Sequence, residues 1–140
     1  MKDDAERILS IDYGEKRIGI AISDPLKMFA IPLITIDNNN LFFTKLKEII
    51  EQYNFVKVVL GYPLKEDGTK TILTDKVEEF KTKLEKQFKI EVIYVDERYS
   101  SSIAWEQIKV SVKSKKKRRD KSLIDKNAAA VILEDFLSTL

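Results

Sequence analysis

The chain has 140 residues, of which 44% are hydrophobic and 34% charged, with a formal net charge of +2. These values are typical of one folded domain with its own core, and no apolar run approaches the roughly 20 residues of a membrane span. The chain contains no histidine and no cysteine. This excludes Ser-His-Asp and Cys-His catalysis, disulfides, and zinc sites built from those ligands, and we expect a cytoplasmic protein that does not associate with membranes.

The first part of the chain predicts an antiparallel sheet. Residues 7–13 are typical of a buried strand, and alternating isoleucines in residues 17–23 predict a second strand, joined to the first by a tight turn. A third strand is expected at 30–36. It should lie at the edge of the sheet, because Pro32 has no backbone N–H to donate.

The remaining chain alternates helices with strands, which favours parallel βα units. Apolar spacing predicts helices at 41–53, 73–88, 103–110 and from an N-cap at Ser122 to about 137, with strands at 56–60 and 90–95. The predicted fold is a single α/β domain over residues 1–140. Its five-stranded mixed sheet combines an antiparallel hairpin and an edge strand with parallel strands, and helices cover both faces.

Positive charge is concentrated in residues 109–121, which contain eight basic residues and one acidic residue. The other 127 residues carry 17 basic and 22 acidic side chains. A basic cluster of this kind is typical of a loop that binds a polyanion, although like-charge runs are also often solvated loops without a partner. The candidate nucleic-acid contacts in this loop are Lys115, Lys116, Lys117, Arg118 and Arg119.

Three carboxylates lie where the predicted topology would bring them together. Asp12 ends the first strand and Glu97 follows the last, so both should lie at the carboxyl edge of the parallel strands. Asp125 extends the apolar stripe of the last helix toward the sheet. Each acid also has a structural explanation: backbone hydrogen bonds for Asp12, a strand-end ion pair for Glu97, and a favourable helix N-terminus for Asp125.

Clustered carboxylates repel one another, and Mg²⁺ or Mn²⁺, which prefer oxygen ligands, would relieve that repulsion. Metal-binding carboxylates beside a basic loop favour a nuclease. Lys16 and Arg17 could contact phosphate, and Arg98 could either contact phosphate or orient Glu97.

Four blocks of the sequence resemble the YqgF/RuvX family, the Holliday junction resolvase-like proteins. They are the opening segment 11–24, Gly61-Tyr62-Pro63-Leu64 followed by Asp67-Gly68, Val95-Asp96-Glu97-Arg98, and Ile124-Asp125 leading into Ala128-Ala129. The resemblance implies a ribonuclease-H-like fold and metal-dependent cleavage, with Asp12, Glu97 and Asp125 as both catalytic acids and metal ligands. The chain departs from the family at Tyr62, where leucine is common, and at Ser100 and Ser101, where threonine is common.

We therefore expect a Mg²⁺- or Mn²⁺-dependent endonuclease that cleaves structured RNA, as implied by the family's role in 5′-end processing of precursor 16S rRNA. The alternatives are a resolvase of branched DNA and a non-catalytic nucleic-acid-binding factor in ribosome assembly. Sugar kinases and actin-like ATPases share the fold but need two such domains around the nucleotide. Symmetric junction cleavage would require a dimer, whereas RNA trimming would not, so a monomer or a weak homodimer is expected.

Overall fold

The computed structural model describes residues 4–97 and 121–140, without the side chains of 121–126. In this part of the chain, five strands and three helices occur. The strands are β1 (Glu6–Asp12), β2 (Arg17–Ser23), β3 (Ala30–Asp37), β4 (Asn54–Tyr62) and β5 (Val92–Asp96), and the helices are α1 (Phe42–Gln52), α2 (Ile72–Phe88) and α3 (Lys121–Leu137). None of these helices is both long and apolar enough to cross a membrane.

The five strands form one sheet in the order β3-β2-β1-β4-β5. Strand β2 is antiparallel to both β1 and β3, whereas β4 is parallel to both β1 and β5. The predicted mixed sheet is therefore confirmed, with β3 at its edge. Pro32 in β3 pairs with Ala21 beside a shift in register, as expected for a residue that interrupts the hydrogen-bond ladder.

Alternate residues of each strand face opposite sides of the sheet, and both sides are covered by helices. On one side, Leu9 and Ile11 of β1 pack in a core with residues of α1 and α2, including Leu46 and Phe80. On the other side, Ile8 packs in a second cluster with residues of α3. The prediction of helices on both faces is confirmed.

Helix α3 approaches β1 closely because its middle consists of alanines. The buried hydroxyl of Ser10 donates to the Ala129 carbonyl over 2.7 Å. The Lys57 Nζ atom lies 5.7 Å from the centre of the Phe136 ring, and Lys57 is the register partner of Ile8. Helix α3 therefore runs antiparallel to β1, with its N-terminal half toward the end of β1 that carries Asp12.

One sequence-based prediction for α3 is wrong, and another is incomplete. The helix already includes Lys121, so Ser122 lies inside it and is not its N-cap. The single apolar stripe is also too narrow a description, because all six positions from 128 to 133 are buried. At 3.6 residues per turn, six consecutive buried residues surround the helix completely, so its middle is enclosed on all sides.

The remaining boundaries agree with the predicted ones to within two residues, and one difference affects the candidate site. Strand β4 includes Gly61, which we expected to end it. Strand β5 begins at Val92 instead of at residue 90. The predicted helix at 103–110 lies outside the described residues, as does the basic loop at 109–121 except for the backbone of Lys121.

Candidate functional site

The parallel strands bring two of the three predicted acids to one edge of the sheet. Asp12 is the last residue of β1, and Glu97 directly follows β5. The backbone N–H of Glu97 donates to the Tyr62 carbonyl at the end of β4 over 3.3 Å. This bond continues the β4–β5 pairing by one residue and holds Glu97 at the height of the neighbouring strand end.

The side chains of Asp12 and Glu97 are in hydrogen-bond contact. Burial raises the pKa of the Glu97 carboxyl above its ordinary value, the hydrogen bond with Asp12 opposes this rise, and the negative charge of Asp96 adds to it. Two carboxyl groups can hydrogen-bond only when one carries a proton. A proton or a cation held between the two carboxyls would relieve their repulsion.

Gly61 makes room for this pair. A Cβ atom at position 61 would lie 3.1 Å from Cδ of Glu97 and 2.8 Å from Cδ1 of Ile132, and closer still to Oε2 of Glu97. The Glu97 carboxyl therefore lies directly against the backbone of β4, in space that any other residue would fill. Sequence reasoning missed this role. The only signal was a glycine at the end of a strand that is otherwise rich in valine.

Asp125 is placed by its backbone alone. It lies one helical turn before Ala129, about 6 Å along α3, while Asp12 lies two residues beyond Ser10, about 6.5 Å along β1. Ser10 is hydrogen-bonded to Ala129, and α3 runs antiparallel to β1. Moving from this bond to Asp125 along α3 and to Asp12 along β1 therefore leads to the same edge of the sheet. The side chain of Asp125 is outside the described residues, and the described side chains contain no group of three or more metal-binding residues.

The predicted nucleic-acid contacts are only partly visible. Lys16 is exposed in the turn between β1 and β2, next to the edge that carries Asp12. Arg17 is half-buried at the start of β2, opposite Asp37. Arg98 and all five basic residues of the loop, Lys115, Lys116, Lys117, Arg118 and Arg119, lie outside the described residues.

The donor set of this edge fits a hard divalent cation. The Asp12 and Glu97 carboxyls supply oxygen atoms, the ligands that Mg²⁺ and Mn²⁺ prefer. They approach each other in a half-buried position, where a bound cation would relieve the repulsion between them. Gly61 keeps the adjacent backbone free of a side chain.

Comparisons with known proteins agree with this architecture. The family model described as "RuvX: Holliday junction resolvase" matches residues 6–139. Proteins named "Putative pre-16S rRNA nuclease" include one from Maridesulfovibrio salexigens, 39% identical, with 94% of this chain and 98% of the relative covered. Another from Dictyoglomus turgidum is 36% identical, with coverages of 96% and 95%.

A solved structure of RuvC from T. thermophilus in complex with a Holliday junction substrate matches 91% of both chains, with a TM-score of 0.53 and 11% identity. At this identity the likeness concerns the fold alone. It supports the ribonuclease-H-like fold that the strand order and the two helix layers indicate. The family model covers nearly the whole chain, and relatives above 30% identity extend along it. The chain therefore belongs to the RuvX family.

Proposed function

We propose that this protein is a metal-dependent endonuclease that hydrolyses phosphodiester bonds of structured nucleic acid. The observation that carries the proposal is the contact between the Asp12 and Glu97 carboxyls at the end of the parallel strands. Like-charged groups that are half-buried are costly unless a cation or a proton lies between them. The pre-16S rRNA nuclease names of the relatives favour the 5′ end of precursor 16S rRNA as the substrate.

In this proposal Asp12 and Glu97 hold Mg²⁺ or Mn²⁺, and Asp125 completes the site and positions the attacking water. A divalent cation bound there supplies positive charge that stabilises the phosphoryl oxygens as negative charge develops on them. Gly61 leaves room for the Glu97 carboxyl, and the hydrogen bond from Ser10 joins β1 to α3. Lys16, Arg17, Arg98 and the loop at 109–121 within the same domain bind the substrate backbone.

The second candidate is cleavage of branched DNA, favoured by the family model's description and by the substrate of the RuvC complex. A side-by-side assay on precursor 16S rRNA and on a four-way DNA junction, each with Mg²⁺ and with Mn²⁺, separates the two. We expect specific cleavage of the RNA near the mature 5′ end and little cleavage of the junction. Symmetric cuts in the junction alone would favour the second candidate. Binding of either substrate without cleavage under all conditions would favour a non-catalytic assembly factor.

A further inference from the structure

A cleft of about 470 Å³ lies on the face of the sheet opposite to the Asp12 and Glu97 carboxyls. It is formed between the first turn of α1, the middle of α2 and the turn after β1. Aromatic side chains line its inner wall. The Tyr13 and Phe80 rings lie 4.8 Å apart, and the Phe43 and Phe80 rings lie 5.7 Å apart. Tyr13 and Phe43 are partly exposed, so the wall presents aromatic surface to a ligand.

The cleft opens at the same edge as the candidate active site. Tyr13 directly follows Asp12, so the two Cα atoms are about 3.8 Å apart. Successive residues at the end of a strand point to opposite faces of the sheet. A chain that passes over this edge can therefore contact the carboxyl pair with one group and the aromatic wall with the next.

Amide groups surround the mouth of the cleft. The Asn38 side chain donates to the Gly14 carbonyl over 2.9 Å, which fixes its amide plane. The Asn39 Oδ1 atom accepts from the Leu41 backbone N–H over 2.9 Å, so its NH₂ group is left to donate. Asn40, beside them, is exposed. Side-chain amides offer both donors and acceptors, as the edges of nucleobases do.

The charges of the cleft favour an uncharged ligand over a phosphate. Its lining includes two lysines and two glutamates, and Lys76 is bound to Glu15 over 3.1 Å. A cleft with balanced charge does not attract an anion strongly. Further along α2, however, Lys83 and Lys86 border a shallow pocket with Phe43, which is a suitable place for the backbone phosphate of a neighbouring nucleotide.

We propose that this cleft binds an unpaired nucleobase of the substrate strand, stacked on the Tyr13 and Phe43 rings, next to the phosphodiester at Asp12. The inference rests on the proposed nuclease function and adds to it a requirement for a single-stranded nucleotide beside the cleaved bond. The strand continues from the cleft along α2 past Lys83 and Lys86. Base pairs would have to open before the base could enter, so the substrate is expected to be single-stranded, frayed or branched at this point.

The test measures binding without cleavage, in buffer that contains EDTA. 2-Aminopurine is placed in turn at each position of a single-stranded RNA, and in a second set of a single-stranded DNA, because stacking on an aromatic ring quenches its fluorescence. We expect one position to be strongly quenched by the wild-type chain and by Tyr13→Phe, but not by Tyr13→Leu. Loss of the stack should weaken binding by about 5- to 150-fold. Quenching only with the RNA set would show that the cleft selects RNA, whereas quenching with both sets would show that it accepts either polymer.

Two further variants keep the test independent of folding defects. Asn40→Ala changes an exposed amide at the mouth and should weaken binding by about 2- to 10-fold, whereas Gln52→Ala, at the far end of α1, should not change it. An RNA that lacks the base at the quenched position should bind at least as weakly as Tyr13→Leu binds the intact RNA. The inference is overturned if no position is quenched, or if folded Tyr13→Leu binds and quenches like wild type. Because no metal ion is present, failure of the proposed nuclease activity would not affect either result.

Discussion

Gly61→Ala should separate the positioning of Glu97 from the stability of the fold. The added methyl group would lie 3.1 Å from the Glu97 Cδ and 2.8 Å from the Ile132 Cδ1. Overpacking of this kind costs about 1–3 kcal/mol. Alanine in a strand recovers about 0.5–1 kcal/mol relative to glycine, since the backbone at Gly61 does not need a positive φ. We expect a net loss of about 0–2.5 kcal/mol.

A loss of that size leaves a domain folded, because small domains have about 5–15 kcal/mol of stability. The effect on catalysis should be larger. A displacement of a catalytic group by about 1 Å can reduce the rate by about 100-fold, and the Glu97 carboxyl must move because the backbone of β4 cannot. Urea denaturation measures the first effect, and the Mg²⁺ dependence of the cleavage rate measures the second.

The double variant Gly61→Ala/Ile132→Val is the matched control. Ile132→Val alone removes a fully buried methyl group and should cost about 0.5–1.5 kcal/mol. In the Gly61→Ala background, Ile132→Val removes the Cδ1 atom of α3 that the new methyl group would meet. There the substitution should lower the free energy of unfolding by less, or even raise it. Activity should stay low, because the conflict with Glu97 remains. Nearly full activity in Gly61→Ala, together with reduced stability, would refute the view that this glycine positions Glu97.

Three further predictions concern titration, buried hydroxyls and substrate binding. Burial raises the folded-state pKa of Glu97 above its ordinary 4.5, so the metal-free protein should lose stability as the pH rises from about that value through the raised pKa. Mg²⁺ should restore this stability. Melting curves of Glu97→Gln should lack this pH dependence. In urea denaturation, Ser23→Ala should lower the free energy of unfolding by about 1–3 kcal/mol, since it leaves a backbone N–H of β1 unsatisfied. Ser10→Ala removes only a donor to a helix carbonyl and should lower it by about 1 kcal/mol. Equal losses would contradict this assignment. Lys16→Gln should reduce the slope of log affinity against log salt by about 1, and Lys89→Gln, at the opposite edge, should not change it.

The fold could be predicted largely from periodicity. The alternating isoleucines of β2 predict its bounds correctly, because alternate residues of a strand face the same side of the sheet. The small residues between them are also buried, which the alternation did not predict. The neighbourhood of Asp12 and Glu97 also followed from the sequence, because parallel strands end at one edge. Strand order and direction were sufficient for that prediction, without any knowledge of packing.

What the sequence did not reveal depends on contacts between distant segments. Gly61 resembles a strand terminator locally, and only the position of Glu97 across β4 and β5 explains why a glycine lies inside the strand. Ser122 and Asp125 match a capping box by local spacing, yet α3 already includes Lys121. The alanines of α3 allow its close approach to β1, but the hydrogen bond from Ser10 depends on the register between the two elements.

The most direct test of the proposed function is the cleavage rate of a precursor 16S rRNA fragment as a function of Mg²⁺ concentration, for wild type and for Asp12→Asn. The variant keeps the size of the side chain and removes one negative charge. Loss of a residue that only supports a metal ligand typically costs 10- to 100-fold, so loss of Asp12 itself should reduce the rate by about 100-fold or more at saturating Mg²⁺. RNA binding and the melting temperature should change little. Cleavage at the wild-type rate by Asp12→Asn, or cleavage that does not depend on a divalent ion, would contradict the account.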